Sequence, residues 1–122
     1  MIWKEHSRMA SIRKGSIYLV NFDPTVGAEI QKIRPAVVVS NNINNNHSPI
    51  ISIAPITSRV ARIFSFEVEI PAGIGGLTER SKIMINQTRA IDKMRILKYI
   101  GTLEELSLRK IDAALKLHYD LA

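Results

Sequence analysis

The chain has 122 residues, of which 46% are hydrophobic, and a net charge of +6. That length is one domain with enough apolar residues for a real core. The absence of cysteine excludes disulfides and thiolate metal sites and fits a reducing cytoplasm, and no apolar run approaches the ~18 residues of a membrane span.

Residues 1–14 show no periodicity and read as a basic tail, with Lys4, Arg8, Arg13 and Lys14 against Glu5. They lack the apolar segment of a secretory signal, so the fold is expected to begin at Gly15 and to run as a single domain over residues 15–122. Residues 16–22 read as a strand, with Tyr18, Val20 and Phe22 on one face and Ile17 and Leu19 on the other. Asp23-Pro24 stops it, because proline removes a ladder donor. Residues 24–33 form a loop of functional interest. Residues 36–40 are the second strand, 41–48 an Asn-rich turn, and 50–56 the third strand. A second loop, 57–63, carries Arg59 and Arg62. Residues 64–70 alternate apolar and polar as a half-exposed strand. The Gly-rich turn at 71–76 has no helix pattern after it and is not read as a phosphate loop.

Residues 81–86, 89–91 and 97–100 complete the strands. Thr102-Leu103-Glu104-Glu105 reads as a capping box with Thr102 as the cap. The helix it opens puts Leu108, Ile111, Leu115 and Tyr119 on one stripe, with Ala114 beside them. The expected fold is therefore mainly β with a C-terminal α-helix. It is a small antiparallel barrel of about six short strands plus one long helix, since no βαβ alternation appears. Between Arg80 and Lys98 six basic side chains face only Asp92. That balance suits a polyanionic partner or a solvated basic surface.

Two strand ends carry the chemistry. One β-branched run has Arg34 at its entrance, and the other has Thr57 at its exit. If the two pair as an antiparallel hairpin, Arg34 and Thr57 share a sheet edge. A guanidinium beside a hydroxyl suits a phosphate, because arginine matches phosphate oxygens bidentately. The alternative is a surface charge and a strand-ending threonine. His6, His47 and His118 fall in no motif, and no His/Asp/Glu set has metal-ligand spacing. Neither a metal nor a cofactor is expected.

Several blocks, in order, resemble the MazF/PemK toxin family. They are Asp23-Pro24-Thr25-Val26-Gly27-Ala28-Glu29, Arg34-Pro35-Ala36-Val37-Val38-Val39-Ser40-Asn41, Ala54-Pro55-Ile56-Thr57-Ser58, Gln87-Thr88-Arg89-Ala90-Ile91-Asp92-Lys93 and Ile100-Gly101-Thr102-Leu103. Members are endoribonucleases of toxin–antitoxin systems that cut single-stranded RNA. The resemblance implies an SH3-like barrel of the CcdB/PemK kind with a C-terminal helix, usually a homodimer. By motif it places the catalytic pair on Arg34 and Thr57. Arginine stays protonated at any working pH, so charge stabilisation of the pentacovalent phosphate suits it better than acid–base work, with donation toward the leaving oxygen.

Glu29 matches the family's acidic loop position and is the candidate acceptor for the 2′-OH proton, although a loop salt bridge would use it equally well. Thr25, Gly27, Ser58 and Arg59 are candidate substrate contacts. Asn86 and Gln87 could read base edges or satisfy loop backbone, and Arg89 could bind phosphate or pair with Asp92.

The implied reaction is metal-independent, sequence-selective attack by the RNA's own 2′-OH, leaving a 2′,3′-cyclic phosphate and a 5′-OH. The implied partners are single-stranded RNA, an acidic, partly disordered antitoxin and a second copy of the chain. The implied location is cytoplasmic, away from membranes. The alternative is a non-enzymatic CcdB-like toxin that poisons DNA gyrase through its terminal helix, and a plain RNA-binding barrel comes third. Arg34 and Thr57 at adjacent strand ends separate these, because a gyrase poison needs neither.

Overall fold

The computed structural model describes residues 12–122. In chain order the elements are β1 (Ser16–Asn21), β2 (Ile33–Val38), α1 (Asn42–His47), β3 (Ile50–Thr57), β4 (Glu67–Ile70), β5 (Ser81–Met84), β6 (Arg89–Asp92), β7 (Ile96–Thr102) and α2 (Glu105–His118). Single-turn 3₁₀ helices occupy Ile85–Gln87 and Lys93–Arg95. Most of the expected tail lies outside the described residues. Ile12 is fully buried and Lys14 pairs with Asp112 of α2 at 2.7 Å, so packing starts before Gly15.

The strands form one antiparallel sheet of seven in the order β4-β5-β3-β2-β1-β7, with β6 also beside β3. β3 is the hub. One edge pairs with β2, from Ala36↔Pro55 to Val38↔Ile53. On its other edge residues 50–53 pair with β6, and Ile56 and Thr57 pair with β5. Pro55 falls at the changeover on that second edge, where its missing donor interrupts no ladder.

The small antiparallel barrel is not closed by hydrogen bonds. The hydrogen-bonded path ends at β4 and β7. The Gly-rich turn after β4 is pressed against the end of β7 instead. A Cβ on Gly76 would lie 2.4 Å from the Ile100 carbonyl oxygen, and one on Gly101 would lie 2.3 Å from that of Gly75. Backbone packing against a turn replaces the last ladder.

Each sheet face has its own core. Ile17, Val37, Ala54, Ile56 and Ile83 pack beneath Ile111 and Ala114 of α2. Tyr18, Val20, Phe22, Ala36, Ile51, Ile53, Ile91 and Ile96 pack on the opposite face. Alternate residues of β1, β2 and β3 thus go to opposite cores, and this two-sided burial makes those strands read as unbroken apolar runs. Among the described residues no helix is long and apolar enough to cross a membrane.

Several local expectations are corrected. The Asn-rich segment is helix α1, not a turn. The Asn41 side chain accepts the Asn44 N–H at 2.8 Å, and buried Asn45 donates to the Ser40 carbonyl at 2.8 Å. The composition that signals a turn is also N-cap chemistry. β2 begins at Ile33, so Arg34 lies inside the ladder opposite Val20. β4 is shorter than expected because the Glu67 carboxylate accepts the Phe64 N–H at 2.9 Å and folds residues 64–66 into a turn. The cap of α2 is Glu104, whose side chain accepts from the Ser107 N–H. Thr102 ends β7 and bonds the Tyr99 hydroxyl at 2.6 Å. Tyr119 follows the last turn of α2 and is exposed, so the core stripe stops at Leu115.

Candidate active site

Strand register assembles the site. The β2–β3 pairing of Ala36↔Pro55, continued by two residues, sets Arg34 opposite Thr57. β3 pairs Thr57 with Lys82 of β5 on its other side. Directly opposed residues share a face, so Arg34, Thr57 and Lys82 form a row across three neighbouring strands. All three line one cavity of about 490 Å³ together with Lys32, Arg59 and Gln87. The lining contains four cationic side chains and no carboxylate. A smaller hollow of about 220 Å³ adjoins Arg34 and Thr57 and includes Ser58 and Glu79.

The polar groups in the row are partly committed. The Thr57 hydroxyl oxygen accepts the Arg59 N–H at 3.2 Å, which leaves its own proton to donate. The Lys82 ammonium donates to Glu67 Oε1 at 3.0 Å and to the Arg62 carbonyl at 2.8 Å. The Arg34 guanidinium is exposed and bonds none of the described residues. An unspent guanidinium next to a donating hydroxyl can bind two oxygens of one phosphate.

The loop between β1 and β2 closes over one side. Phe22 N–H donates to the Lys32 carbonyl at 2.9 Å, and Lys32 N–H donates to Asp23 Oδ1 at 3.0 Å. Gln87 Oε1 accepts the Ile30 N–H at 2.7 Å, so Gln87 satisfies loop backbone. Glu29 accepts the Val26 N–H at 2.6 Å. It lines a neighbouring cavity of about 410 Å³ with Ala28, Asn86, Thr88 and Arg89, not the cavity of Arg34 and Thr57. Ile30 and Gln87 belong to both cavities and form the wall between them.

Arg89 donates to the Phe22 carbonyl at 3.1 Å. Its alternative partner Asp92 accepts the Met94 N–H at 2.8 Å instead, since residues three apart on a strand face opposite ways. Thr25, whose hydroxyl lies 3.5 Å from Asp23 Oδ1, and Gly27, exposed at φ +58, line none of these three cavities.

Two lining cations, Lys32 and Lys82, were not candidates from sequence. For Lys82 a signal exists. In Ser81-Lys82-Ile83-Met84 only Lys82 is not buried, and a charged residue on a short apolar strand marks a polar face. What the spacing could not supply is the pairing of β5 with the last residues of β3. Among the described residues no group of three or more His, Asp or Glu is placed to hold a metal ion.

The sequence model of PemK-like, MazF-like toxins of type II toxin–antitoxin systems matches residues 13–119. The chain belongs to this family. It is 38% identical over 115 residues to endoribonuclease MazF9 of Mycobacterium tuberculosis, covering 90% of this chain and 98% of that one. Endoribonuclease EndoA of Bacillus subtilis is 34% identical over 107 residues, covering 87% and 92%. Among solved structures, a MazF of Deinococcus radiodurans superposes with a TM-score of 0.77 at 25% identity, covering 89% and 96%. A mycobacterial endoribonuclease in complex with its cognate antitoxin shares the fold, with a TM-score of 0.75 at 19% identity and coverage of 90% and 96%. The family read from the sequence blocks is thereby confirmed, and Arg34 and Thr57 sit in two of those blocks.

Proposed function

We propose that this family member is an endoribonuclease toxin that cuts single-stranded RNA without a metal, using the RNA's own 2′-OH as nucleophile. The observation that carries the reading is the unspent Arg34 guanidinium beside the donating Thr57 hydroxyl in one cationic cavity. As the 2′-oxygen attacks, charge accumulates on the phosphoryl oxygens. Arg34 stabilises that charge and donates a hydrogen bond toward the departing 5′-oxygen, which takes its proton from solvent to leave as the 5′-OH, while Thr57 holds a non-bridging oxygen. Glu29, in a neighbouring cavity, is the proposed acceptor of the 2′-OH proton, and Glu79 is the carboxylate that shares a hollow with Arg34 and Thr57. No carboxylate lines the larger cavity of Arg34 and Thr57, and the loop carrying Glu29 shares its Ile30–Gln87 wall. Ile30, Gln31, Lys32 and Arg59 line the cavity, and the loops that carry them, residues 24–33 and 57–63, would set base preference. A related endoribonuclease solved in complex with its cognate antitoxin supports an antitoxin as inhibitor; its acidic character, a homodimeric working unit and action in the cytoplasm are part of the same proposal.

The test is incubation with a mixed single-stranded RNA with and without excess EDTA. Cleavage should survive EDTA and leave a 2′,3′-cyclic phosphate, or its opened 3′-phosphate, with a 5′-OH. Duplex RNA should resist, because its strands cannot splay into so small a site. A 5′-phosphate product would mean water attack and overturn the mechanism. Gyrase inhibition without RNA cleavage would overturn the function.

A further inference from the structure

One phosphodiester carries one negative charge, yet Lys32, Arg34, Arg59 and Lys82 all line the Arg34–Thr57 cavity. Lys82 stands apart from the other three, which are exposed. Its side chain is only 12% exposed and its ion-pair partner Glu67 only 5%. Two of its three N–H donors are spent, on Glu67 Oε1 at 3.0 Å and on the Arg62 carbonyl at 2.8 Å; the ammonium also lies 5.8 Å from the centroid of the Phe64 ring, and no hydrogen bond to a described residue takes the third N–H. Those two bonds draw the ammonium toward β4 and the loop before it. Arg34 approaches Thr57 from the β2 side, and neighbouring strands are ~4.8 Å apart. The two cations therefore stand one strand to either side of the Thr57 hydroxyl, with Lys82 held on the far side from Arg34.

We infer that Lys82 binds a second phosphodiester of the same strand, next to the one cut at Arg34 and Thr57. The inference rests on the RNA-cleaving reading. The RNA backbone then crosses the sheet from β2 over β3 toward β5, and the Glu67 tether holds the ammonium in place before substrate arrives, which lowers the ordering cost of binding. The competing role for Lys82 is structural. Glu67 also accepts the Phe64 N–H at 2.9 Å, so the pair could serve only to fix the loop before β4.

The salt dependence of binding separates the two roles. Each phosphate contact on a single strand contributes about 0.7 to the slope of log affinity against log salt, and a purely structural lysine contributes nothing. Lys82→Met alone would strand a buried carboxylate, so the informative variant is Lys82→Met with Glu67→Gln, in which the amide oxygen still accepts from Phe64. Wild type locates a cut site in mixed RNA. An oligonucleotide with 2′-deoxyribose at that site then serves as uncleavable ligand between 50 and 200 mM KCl.

The double variant should raise KM about tenfold, the scale of one charged hydrogen bond, with kcat within about threefold of wild type. Its salt slope should be shallower by about 0.7, and Lys82→Arg should restore the slope. A folded double variant with wild-type KM and slope would show that Lys82 serves only Glu67 and would overturn the inference. A wild-type protein that neither binds nor cuts RNA would instead remove the reading beneath it.

Discussion

Arg34 and Thr57 contribute to the site without contributing much to the fold. Arg34 is exposed and bonds none of the described residues, and Thr57 is half-buried at a strand end. We therefore expect Arg34→Ala to lower the cleavage rate by roughly 10²–10⁴ and Thr57→Ala by about 10–10³, the range for losing a charge stabiliser and one donor. Melting temperature should hardly move in either. Arg34→Lys should also cut poorly, because an ammonium cannot make the bidentate contact. Near-normal cutting by Arg34→Ala would displace the site.

Lys93 is the reverse case, a charge with a structural cost. It is buried, its ammonium donates to the Asn45 carbonyl at 2.7 Å, and burial pushes its pKa below the ordinary 10.5. The native state therefore releases this proton at lower pH than the unfolded chain. In the window just below 10.5 the unfolded chain binds more protons, so the Lys93 contribution to stability rises with pH. Urea denaturation of wild type and Lys93→Met across about pH 8 to 10.5 should show wild type gaining on the variant as pH rises. A gap that stays constant would contradict the assignment.

At the scale of elements, the turn that substitutes for barrel closure is the sensitive joint. Gly76 adopts φ +80, and an added Cβ would meet the Ile100 carbonyl oxygen at 2.4 Å; Gly27 adopts φ +58 with nothing within 4 Å. Both positions penalise an L side chain by about 1–2 kcal/mol, but only Gly76 adds a backbone collision. Gly76→Ala should therefore destabilise the protein distinctly more than Gly27→Ala in the same urea titration. Equal losses would mean that β7 yields easily and that the turn does not hold the sheet's curl. The shifted boundaries have local causes of the same kind. Asn41 caps α1 and Glu67 folds residues 64–66, and each side chain satisfies backbone N–H groups that a pattern of apolar residues does not register.

For the whole molecule, charge and assembly are the tests. The net charge of +6 includes four cations around one cavity. An acidic, extended antitoxin segment would compete with RNA for that surface, and ordering it would demand a large buried area. Light scattering at micromolar concentration should give about twice the 13.7 kDa chain mass. Saturating peptide should abolish RNA binding and cleavage together. A monomer, or a bound peptide that leaves cleavage intact, would contradict the proposed homodimer or the shared surface.

The chain alone was enough for a mainly β fold ending in a helix, for the alternation of β1, and for Arg34 beside Thr57 on neighbouring strands. These depend on side-chain period and on hairpin pairing between near neighbours, both of which are local. The ordered blocks from Asp23 to Leu103 were enough for the family. The tertiary structure decided everything that depends on distant pairings. Thr57 meets Lys82 across an intervening loop, a turn and β4, and Gln87 reaches back to Ile30, so Lys82 enters the cavity and Glu29 goes to the one beside it. It also decided that the sheet stays open. Closure depends on whether the ends of β4 and β7 can reach each other in three dimensions, and there the backbone of Gly75 and Gly76 already occupies the space against Ile100 and Gly101.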